Sequence, residues 1–522
     1  MNRLERSERG YEISNPFKKV MQGREGVQRS REAVRGSLIV HDARLGDLVC
    51  PEPKEWVADL RVRLANRERL VTLYGRAAGP LVVVTAVLET APRQLSVLRT
   101  TMDPAHGYHG LTADFPSLQS LERELHEQCG VRIAGHPWLK PIRFESGSRD
   151  EMDRYPFYEI EGKEVHEVAV GPIHAGVIEP GSFRFMCLGE IVHHLEIHLG
   201  YQHRGLERLL LKGNPRSLAP LVETIAGDTS VGHTWAYCAA IEALAGLNMT
   251  METEAARAVV LELERVAMHL GGLSGLAGDI GFLQGASTYG RLRTTAINTT
   301  MRLCGSRFGR GALRPGGSGI RLDRDGAADV RKSVSLLQTD LGIINECFAK
   351  SRTVQHRLRN AGVLSRERAL ELGVVGMAAR SSGVAIDQRV PGGGVYDVVP
   401  LESVVEETGD CFARANLRIQ EMDRSLSWIN AVLERFPVSK PSRENVGELA
   451  PSRLVIAACE GWRGEVVHVL ETDDKGALVH YKVQDPSLRN WLGLAIAVRG
   501  NEISDFPMCN KSFDLSYCGN DL

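Results

Sequence analysis

Long apolar runs, closely spaced cysteines and nucleotide-binding motifs are all missing from this 522-residue sequence. Its longest apolar stretches, such as 81–88, are much shorter than the roughly 18–20 residues that span a bilayer, so membrane contact would need partner proteins. The ten cysteines never approach C-x-x-C spacing, which excludes a zinc ribbon, a ferredoxin run or a thioredoxin motif. Residues 1–10 are charged and lack a signal-peptide core, so we expect a cytoplasmic protein.

Aromatic residues make up only 6% of the chain, and the formal net charge is only -2. This balance provides no overall field that would attract nucleic acid or an anionic membrane, and no nucleic-acid partner is expected. The sequence has no P-loop, and its glycine clusters at 314–319 and 392–394 do not open a helix after a strand. We therefore predict no dinucleotide site in a chain whose length suggests about two to four domains.

Composition and hydrophobic periodicity divide the chain into three segments. Residues 1–45 form a charged arm, either a mobile tail or a segment, partly helical at 15–34, that lies on another subunit. Residues 46–150 combine helix starts with paired strands and predict a small α+β domain. Residues 151–522 are predicted to be mainly helical and framed by small β elements. The predicted fold class is therefore α+β.

The secondary structure of the large segment is predicted from its periodicity. A β-hairpin is expected at 168–186, and a return to β structure is expected at 453–498. The predicted long helices are 188–212, 215–247, 252–276, 327–350 and 401–436.

Four histidines lie close together in the first of these predicted helices. His194 and His198 are four residues apart and would share a helix face, with His193 and His203 nearby. Imidazoles one turn apart can share a metal ion, although the spacing does not match a zincin. The alternative is that these histidines are structural and face a subunit interface.

A second group of polar residues recurs among apolar ones in the predicted helix 252–276. Its members are Arg257, Glu262, Glu264, Arg265 and His269. Because apolar residues occupy the positions between them, part of this charge must pack against other protein.

Several segments resemble one known family. They match the large subunit of group 4, formate-hydrogenlyase-type nickel–iron hydrogenases and its counterpart lining the quinone pocket of respiratory complex I. The matching segments are LGYQHRGLE at 199–207, ELER at 262–265 with DIG at 279–281, RFGRG at 307–311 with RPGG at 314–317, and GWRGE at 461–465. FPS at 115–117 and GHP at 135–137 resemble the small companion protein of complex I, fused ahead of the large one.

The nickel–iron ligands of that family are missing from this chain. When this chain is aligned on the family motifs, the positions of the family's four cysteine ligands are occupied by Ala226, Thr229, Ser516 and Gly519. Alanine and glycine have no side-chain donor, and alcohols replace bridging thiolates poorly, so we expect no nickel–iron centre and predict no metal ligands. The quinone pocket is also incomplete, because its first histidine is kept as His174 but the second position is Ile178.

The resemblance still implies a working cavity. Glu179 matches the family glutamate that relays protons, and Asp228, His233, Arg463 and Asp514 align with or lie beside cavity positions. An acid, a base and a guanidinium in one cleft are typical of a catalytic site. The alternative is a buried ion network that only fixes the fold.

The resemblance also implies residues that bind or face cofactors. His174 would contact a quinone head group, while His203 and Arg204 would face the iron–sulfur cluster of a partner subunit. We assign no cofactor to this chain by itself.

These features predict an oxidoreductase subunit, NADH dehydrogenase-like or hydrogenase-like, that is active only within a complex. It would dock an iron–sulfur subunit and, through partners, antiporter-like membrane subunits at the inner face of the cell membrane. Electrons would meet a small acceptor, such as a quinone, in the cavity. The alternatives are an inactive scaffold that couples partner subunits and a histidine-cluster metal protein with hydrolytic chemistry.

Overall fold

In the computed structural model of the chain, the described residues are 36–145, 152, 154–174, 178–436 and 440–522. The predicted arm helix at 15–34 lies outside them. Within them the strands are β1 (Ile39–Arg44), β2 (Arg69–Ala78), β3 (Leu81–Ala91), β4 (Gln94–Met102), β5 (Tyr108–His109), β6 (Ile133–Ala134), β7 (Val165–Val170), β8 (Ser182–Leu188), β9 (Ile191–His198), β10 (Leu313–Arg314), β11 (Gly317–Ser318), β12 (Ser442–Arg443), β13 (Arg453–Glu460), β14 (Glu465–Thr472) and β15 (Leu478–Gln484).

The helices of the same residues include both long rods and single turns. They are α1 (Pro53–Ala65), α2 (Gln119–Cys129), α3 (Leu206–Lys212), α4 (Ala219–Val222), α5 (Ser230–Leu244), α6 (Met251–Asp279), α7 (Leu283–Cys304), α8 (Arg324–Lys350), α9 (Arg352–Leu358), α10 (Arg366–Leu372), α11 (Gly376–Arg380), α12 (Val395–Val398), α13 (Cys411–Arg435), α14 (Ser487–Ala497), α15 (Phe506–Phe513) and α16 (Tyr517–Asp521), with 3-10 turns at Leu45–Asp47, Pro116–Leu118 and Ile503–Asp505.

The small domain is an antiparallel meander, β2-β3-β4, with α1 and α2 packed on it. Helix α1 begins with Pro53, whose missing N–H costs nothing in the first turn, and it buries Trp56, Leu60 and Leu64 at four-residue intervals. Strand β2 runs straight through Gly75, where an added Cβ would lie 2.6 Å from a methyl of Leu125 on α2. The paired strands predicted within 46–150 are present, and the turn between β2 and β3 is confined to 79–80.

A second sheet joins residues that are far apart in the chain. Its order is β1-β13-β14-β15, with every neighbouring pair antiparallel. Strand β1 lies in the segment predicted as a charged arm, and it pairs along its whole length with β13. The division of the chain into three segments remains a prediction.

The helical body is centred on α6, which packs against α7 and α13, while α5 packs against β13 and β14. Side-chain oxygens of Thr250 and Asp410 cap the N-termini of α6 and α13. The fold class predicted from the sequence, α+β with a mainly helical large segment, is confirmed. Among the described residues, no helix is both long and apolar enough to cross a membrane.

Four predicted element boundaries are wrong. Most of the predicted helix 188–212 is instead strand β9, which pairs with β8, followed by a loop. Only α3, at the end of that range, is helical. The predicted helix 215–247 breaks between α4 and α5. The predicted helix 401–436 begins only at Cys411, after its Asp410 cap, and the predicted β segment 453–498 ends in helix α14.

Candidate functional site

Two structural breaks bring Asp228 and Arg463 together. Asp228 lies in the break between α4 and α5, and Arg463 lies in the hairpin turn between β13 and β14. The Arg463 guanidinium donates to both carboxylate oxygens of Asp228 at 2.7 Å, and it lies 3.9 Å over the ring of Trp462. The Asp228 side chain is 37% exposed, whereas that of Arg463 is 5% exposed. The ion pair therefore has one side open to a ligand or to water.

Backbone geometry fixes the direction in which Arg463 points. Gly461 and Gly464 exchange hydrogen bonds across the turn, and Gly464 has a φ of 144°, which favours glycine. Gly376 of α11 packs so closely on the turn that an added Cβ would lie 2.1 Å from the Arg463 carbonyl oxygen. The indole N–H of Trp462 donates to the Asp228 carbonyl at 2.9 Å. The backbones of both ion-pair partners are therefore fixed by contacts that do not involve their charged groups.

Asp514 lies on the Nε side of the Arg463 guanidinium. It ends α15 with a φ of 56°, and its carbonyl accepts a hydrogen bond from Nε of Arg463. Its carboxylate accepts from Lys511 at 2.9 Å. Burial favours the neutral acid, but the positive charges of Lys511 and Arg418 outweigh it and lower the pKa of Asp514.

Glu179 approaches from the opposite side, next to helix α16. Its carboxylate accepts the Tyr517 N–H at 3.3 Å. The Cys518 thiol lies close to both Glu179 and Asp228. Burial raises the pKa of this thiol to about 11, and the negative charge of Glu179 adds to the shift. We refer to Glu179, Asp228, Arg463, Asp514 and Cys518 together as the Arg463 site.

His233, by contrast, does not face an open cavity. It lies in the first turn of α5 and is fully buried. Its Nε2 is 3.1 Å from an oxygen of Asp485, and its Nδ1 is 3.1 Å from Nε2 of His468. The carboxyl of Asp485 lies against Gly519 of α16, so His233 reaches the Arg463 site only through Asp485.

The three predicted cofactor-facing residues lie at the edges of the site. His174 donates from Nε2 to the carbonyl of Gly181 at 2.7 Å. His203 uses Nδ1 to bond the Asp521 carbonyl at 2.8 Å. Arg204 is exposed and donates to carbonyls of the α4–α5 break and of α16.

The positions that carry nickel–iron ligands in the family do not fit such a centre here. Thr229 accepts a hydrogen bond from Arg463, and the Ser516 hydroxyl caps the N–H of Gly519 at 2.9 Å. An added Cβ at Gly519 would lie 2.6 Å from the carboxyl carbon of Asp485, so that carboxyl already fills the space of a side chain at 519. With Ala226 providing no donor, this set offers two alcohols and no thiolate.

The clustered histidines are not a helix face, because His193, His194 and His198 belong to strand β9. His194 Nδ1 lies 3.1 Å from the guanidinium of Arg499, and His198 is surrounded by the rings of Phe144 and Phe157. Within the described ranges, no three His, Cys, Asp or Glu side chains come together as a metal-binding set. The helix face expected for His194 and His198 is therefore wrong, because both residues lie in a strand.

The recurrent charges of α6 are covered by this same chain. Arg380 of α11 bonds Glu421 at 2.9 Å and Glu460 at 2.7 Å, and Arg389 bonds Glu262 at 3.1 Å. We call the set the sealed network, because each of its side chains is at most 4% exposed; its members are Glu262, Arg265, His269, Arg380, Asp387, Arg389, Glu421 and Glu460.

Sequence reasoning missed Asp485, His468, Cys518 and Arg418. Arg418 is fully buried, and its Nε and one terminal nitrogen have no hydrogen-bond partner in the described part of the chain. Burial lowers the pKa of Arg418 to about 10. The position of Arg418 between Leu417 and Ile419 was the only sequence signal for it, whereas Asp485 is brought to the site by the tertiary fold.

The fold is similar to that of a chain in the structure of the membrane-bound sulfane sulfur reductase, an archaeal respiratory membrane complex, with a TM-score of 0.64 and 24% identity. That likeness covers 70% of this chain and 100% of the other. The family of respiratory-chain NADH dehydrogenase 49 kDa subunits matches residues 279–450.

Named relatives extend the match over more of the chain. The carbon monoxide-induced hydrogenase of Rhodospirillum rubrum is 30% identical over 351 residues, covering 67% of this chain and 97% of the relative. Formate hydrogenlyase subunit 5 of Escherichia coli is 27% identical over 433 residues, covering 78% and 76%. A fused C/D protein of the NADH-quinone oxidoreductase of Bacteroides fragilis is 31% identical over 420 residues, covering 71% and 78%.

The chain belongs to the family that unites complex I 49 kDa-type subunits with group 4 hydrogenase large subunits, and the fused companion domain fits the C/D arrangement. The resemblance read from the motifs is confirmed. The chain is thus an oxidoreductase subunit related to the core subunits of membrane-bound hydrogenases and complex I.

Proposed function

We propose that this chain is the electron-accepting or electron-donating core subunit of a respiratory complex in which the Arg463 site handles protons without a nickel–iron centre. One observation carries the proposal: the bidentate Asp228–Arg463 pair is held rigidly from behind and is open on one side. A rigid charged pair whose carboxylate residue is partly exposed is the arrangement expected of a working site rather than of a buried brace.

The residues of the site have separable roles in this proposal. Arg463 keeps its charge at any physiological pH and can stabilise negative charge that develops on a reduced acceptor. Asp228 orients the guanidinium through two hydrogen bonds. Glu179, which accepts the Tyr517 N–H and lies beside the Cys518 thiol, is the group proposed to exchange a proton as the acceptor is reduced. The acceptor class is a small quinone-like molecule, with His174 near its entry.

Electrons would pass through the cluster of an iron–sulfur partner subunit. The exposed Arg204 and neighbouring His203 are the residues proposed to face that cluster, where positive charge would raise its potential. Antiporter-like membrane subunits would hold the assembly at the inner face of the membrane, since no described helix of this chain crosses a bilayer. The relatives named as membrane-bound hydrogenase and respiratory complex chains support this arrangement.

The proposal is tested on the assembled complex, isolated through a tag on this chain with a mild detergent. After reduction by dithionite, the complex should transfer electrons to a short-chain quinone and should contain iron but no stoichiometric nickel. Arg463→Met should abolish the transfer while the complex still assembles. The matched control is Arg291→Met, which removes an exposed ion pair with Asp340. About one nickel per chain, or hydrogen uptake, would contradict the proposal.

A second candidate function, an inactive scaffold, is favoured by the Asp485 carboxyl that fills the ligand position at Gly519. A scaffold links partner subunits mechanically and needs no open ion pair. In the same experiment it predicts that Arg463→Met leaves electron transfer unchanged in an assembled complex.

A further inference from the structure

Four buried side chains form one continuous hydrogen-bonded line. The Tyr481 hydroxyl lies 2.9 Å from Nδ1 of His468, His468 Nε2 lies 3.1 Å from Nδ1 of His233, and His233 Nε2 lies 3.1 Å from Asp485. Each of these residues is at most 1% exposed. The line crosses from strand β15 through β14 to α5 and returns to the start of α14.

The direction of every hydrogen bond in this line follows from its Asp485 end. Both Asp485 oxygens accept, since one takes the Ser487 N–H at 2.8 Å and the other faces His233. Asp485 therefore requires a proton on Nε2 of His233. With both rings neutral, Nδ1 of His233 is bare and accepts from a proton on Nε2 of His468. The bare Nδ1 of His468 then accepts from the hydroxyl of Tyr481.

This arrangement is self-consistent, with both rings neutral. Burial lowers the pKa of His468 well below its usual range, and the positive charge of His233 would lower it further. Burial opposes ionisation of Asp485, but the hydrogen bond from His233 and the positive charge of Arg463 outweigh it and lower its pKa. An ionised carboxylate and two neutral imidazoles satisfy every hydrogen bond of the line.

The Asp485 end of the line touches the Arg463 site. Its carboxyl lies against Gly519, and the neighbouring Ser487 hydroxyl accepts the Ser516 N–H at 2.9 Å. The negative charge of Asp485 also helps to raise the pKa of Arg463. A proton on Asp485 would therefore be stored next to the ion pair.

At the other end of the line, Tyr481 is buried beside Tyr237, whose hydroxyl donates to the Pro215 carbonyl and accepts the Leu218 N–H. Arg216 and Ser217, between those two residues, line an open cavity of about 590 Å³. The lining of this cavity does not include Tyr481, so a proton taken from water there must pass the Tyr237 side chain to reach the line.

We propose that Tyr481, His468, His233 and Asp485 form a one-proton relay that supplies the Arg463 site, an assignment that rests on the proposed function. When the relay operates, Tyr481 passes its proton to His468 and regains one from water. His468 passes the proton on Nε2 to His233, and His233 passes its own to Asp485. One proton enters and one is stored on Asp485, no ring becomes charged, and all hydrogen bonds reverse direction.

The stored state can be imitated by one substitution. In Asp485→Asn the amide oxygen must face the Ser487 N–H, so the NH₂ group faces Nε2 of His233. That ring must then move its proton to Nδ1, and His468 must do the same and donate to Tyr481. The relay thus predicts that one distant change switches the tautomers of both histidines together.

The test is ¹⁵N NMR of the full chain labelled at histidine, with ring signals assigned through His233→Gln and His468→Gln. Both rings should carry Nε2–H in the wild type and Nδ1–H in Asp485→Asn. The matched control, Tyr289→Phe, removes another buried hydroxyl, 2.9 Å from Asn345, and should change neither. A charged ring in the wild type, or a switch of only one ring or none, overturns the relay whether or not the chain transfers electrons.

Its use in turnover is tested separately in the assembled complex. Tyr481→Phe removes the supply end and should slow quinone reduction at least about tenfold, with Tyr289→Phe as control. If Tyr481→Phe is silent while Arg463→Met abolishes turnover, the proposed function stands and the supply role is wrong. If both variants are silent, the proposed function fails and the supply role fails with it.

Discussion

The Arg463 site and the sealed network are built from the same residue types but differ in exposure. Both pair arginines with carboxylates at distances near 2.7 Å. The carboxylate of Asp228 is 37% exposed, whereas no side chain of the network exceeds 4%. Hydrogen-bond geometry alone therefore does not separate a reactive site from a structural brace, but access to water does.

This difference has an energetic consequence. The charged side chains of the sealed network pair with one another in the interior. Removing one of them therefore leaves its partners buried and without that counter-charge. At the Arg463 site, a carboxylate that loses its partner can still be hydrated. The network should therefore determine whether the chain folds, and the Arg463 site whether it works.

The largest predicted effect tests this distinction with two equivalent substitutions. Arg380→Met removes a positive partner of the buried Glu421 and Glu460 carboxylates and should destabilise the fold by about 3–5 kcal/mol. Arg463→Met should cost much less, because Asp228 remains partly hydrated. Unfolding in urea measures both, and equal losses from the two variants would abolish the comparison.

A smaller effect concerns acid stability. Burial lowers the pKa of His269 to about 4, against its hydrogen bond to Glu421, while the unfolded chain titrates near 6.5. Between these values the unfolded state binds a proton that the folded state does not. The free energy of unfolding should thus fall as pH drops from about 6.5 to about 4 and show no change from this group above that window.

His269→Gln keeps a donor for Glu421 and removes the titration. The variant should lose stability less steeply than the wild type across that window, by up to about 1.4 kcal/mol per pH unit. His106→Gln, at an exposed histidine, is the control and should retain the wild-type slope. Parallel curves for the wild type and His269→Gln would show that the network does not hold this histidine neutral.

The smallest effect lies at the outer edge of the Arg463 site. Arg204→Met removes an exposed positive charge, and the midpoint potential of the partner's iron–sulfur cluster should become more negative. Redox titration followed by electron paramagnetic resonance measures this shift. Lys212→Met, another exposed charge at the end of α3, should shift the potential less, and an equal shift would place the cluster elsewhere.

Much of the candidate site was predictable from the sequence, because several of its residues lie in or beside family motifs. Asp228, Arg463 and Asp514 occupy positions that the resemblance identified, and the structure brings them together. The family and the fold class are confirmed. The local pattern also predicted α6 within a few residues, since its apolar positions repeat with the helical period.

What could not be predicted depends on contacts distant in sequence. The sequence of strand β9 predicts a helix, because its pattern of histidines and apolar residues is compatible with the helical period as well as with the strand period. Only its pairing with β8 makes it a strand. The pairing of β1 with β13 joins segments about 400 residues apart. Asp485 gives no local signal, and its role follows only from its position against Gly519.

The central claim, that the Arg463 site is a redox-coupled proton site and not a brace, is tested most directly by Glu179→Gln. Glutamine keeps the size of the side chain and its acceptor for the Tyr517 N–H but cannot exchange a proton. The assembled variant complex should keep its composition and lose turnover by roughly 10²–10⁴-fold, with the exposed Glu190→Gln as an unaffected control. Normal electron transfer by an assembled Glu179→Gln complex would contradict the claim.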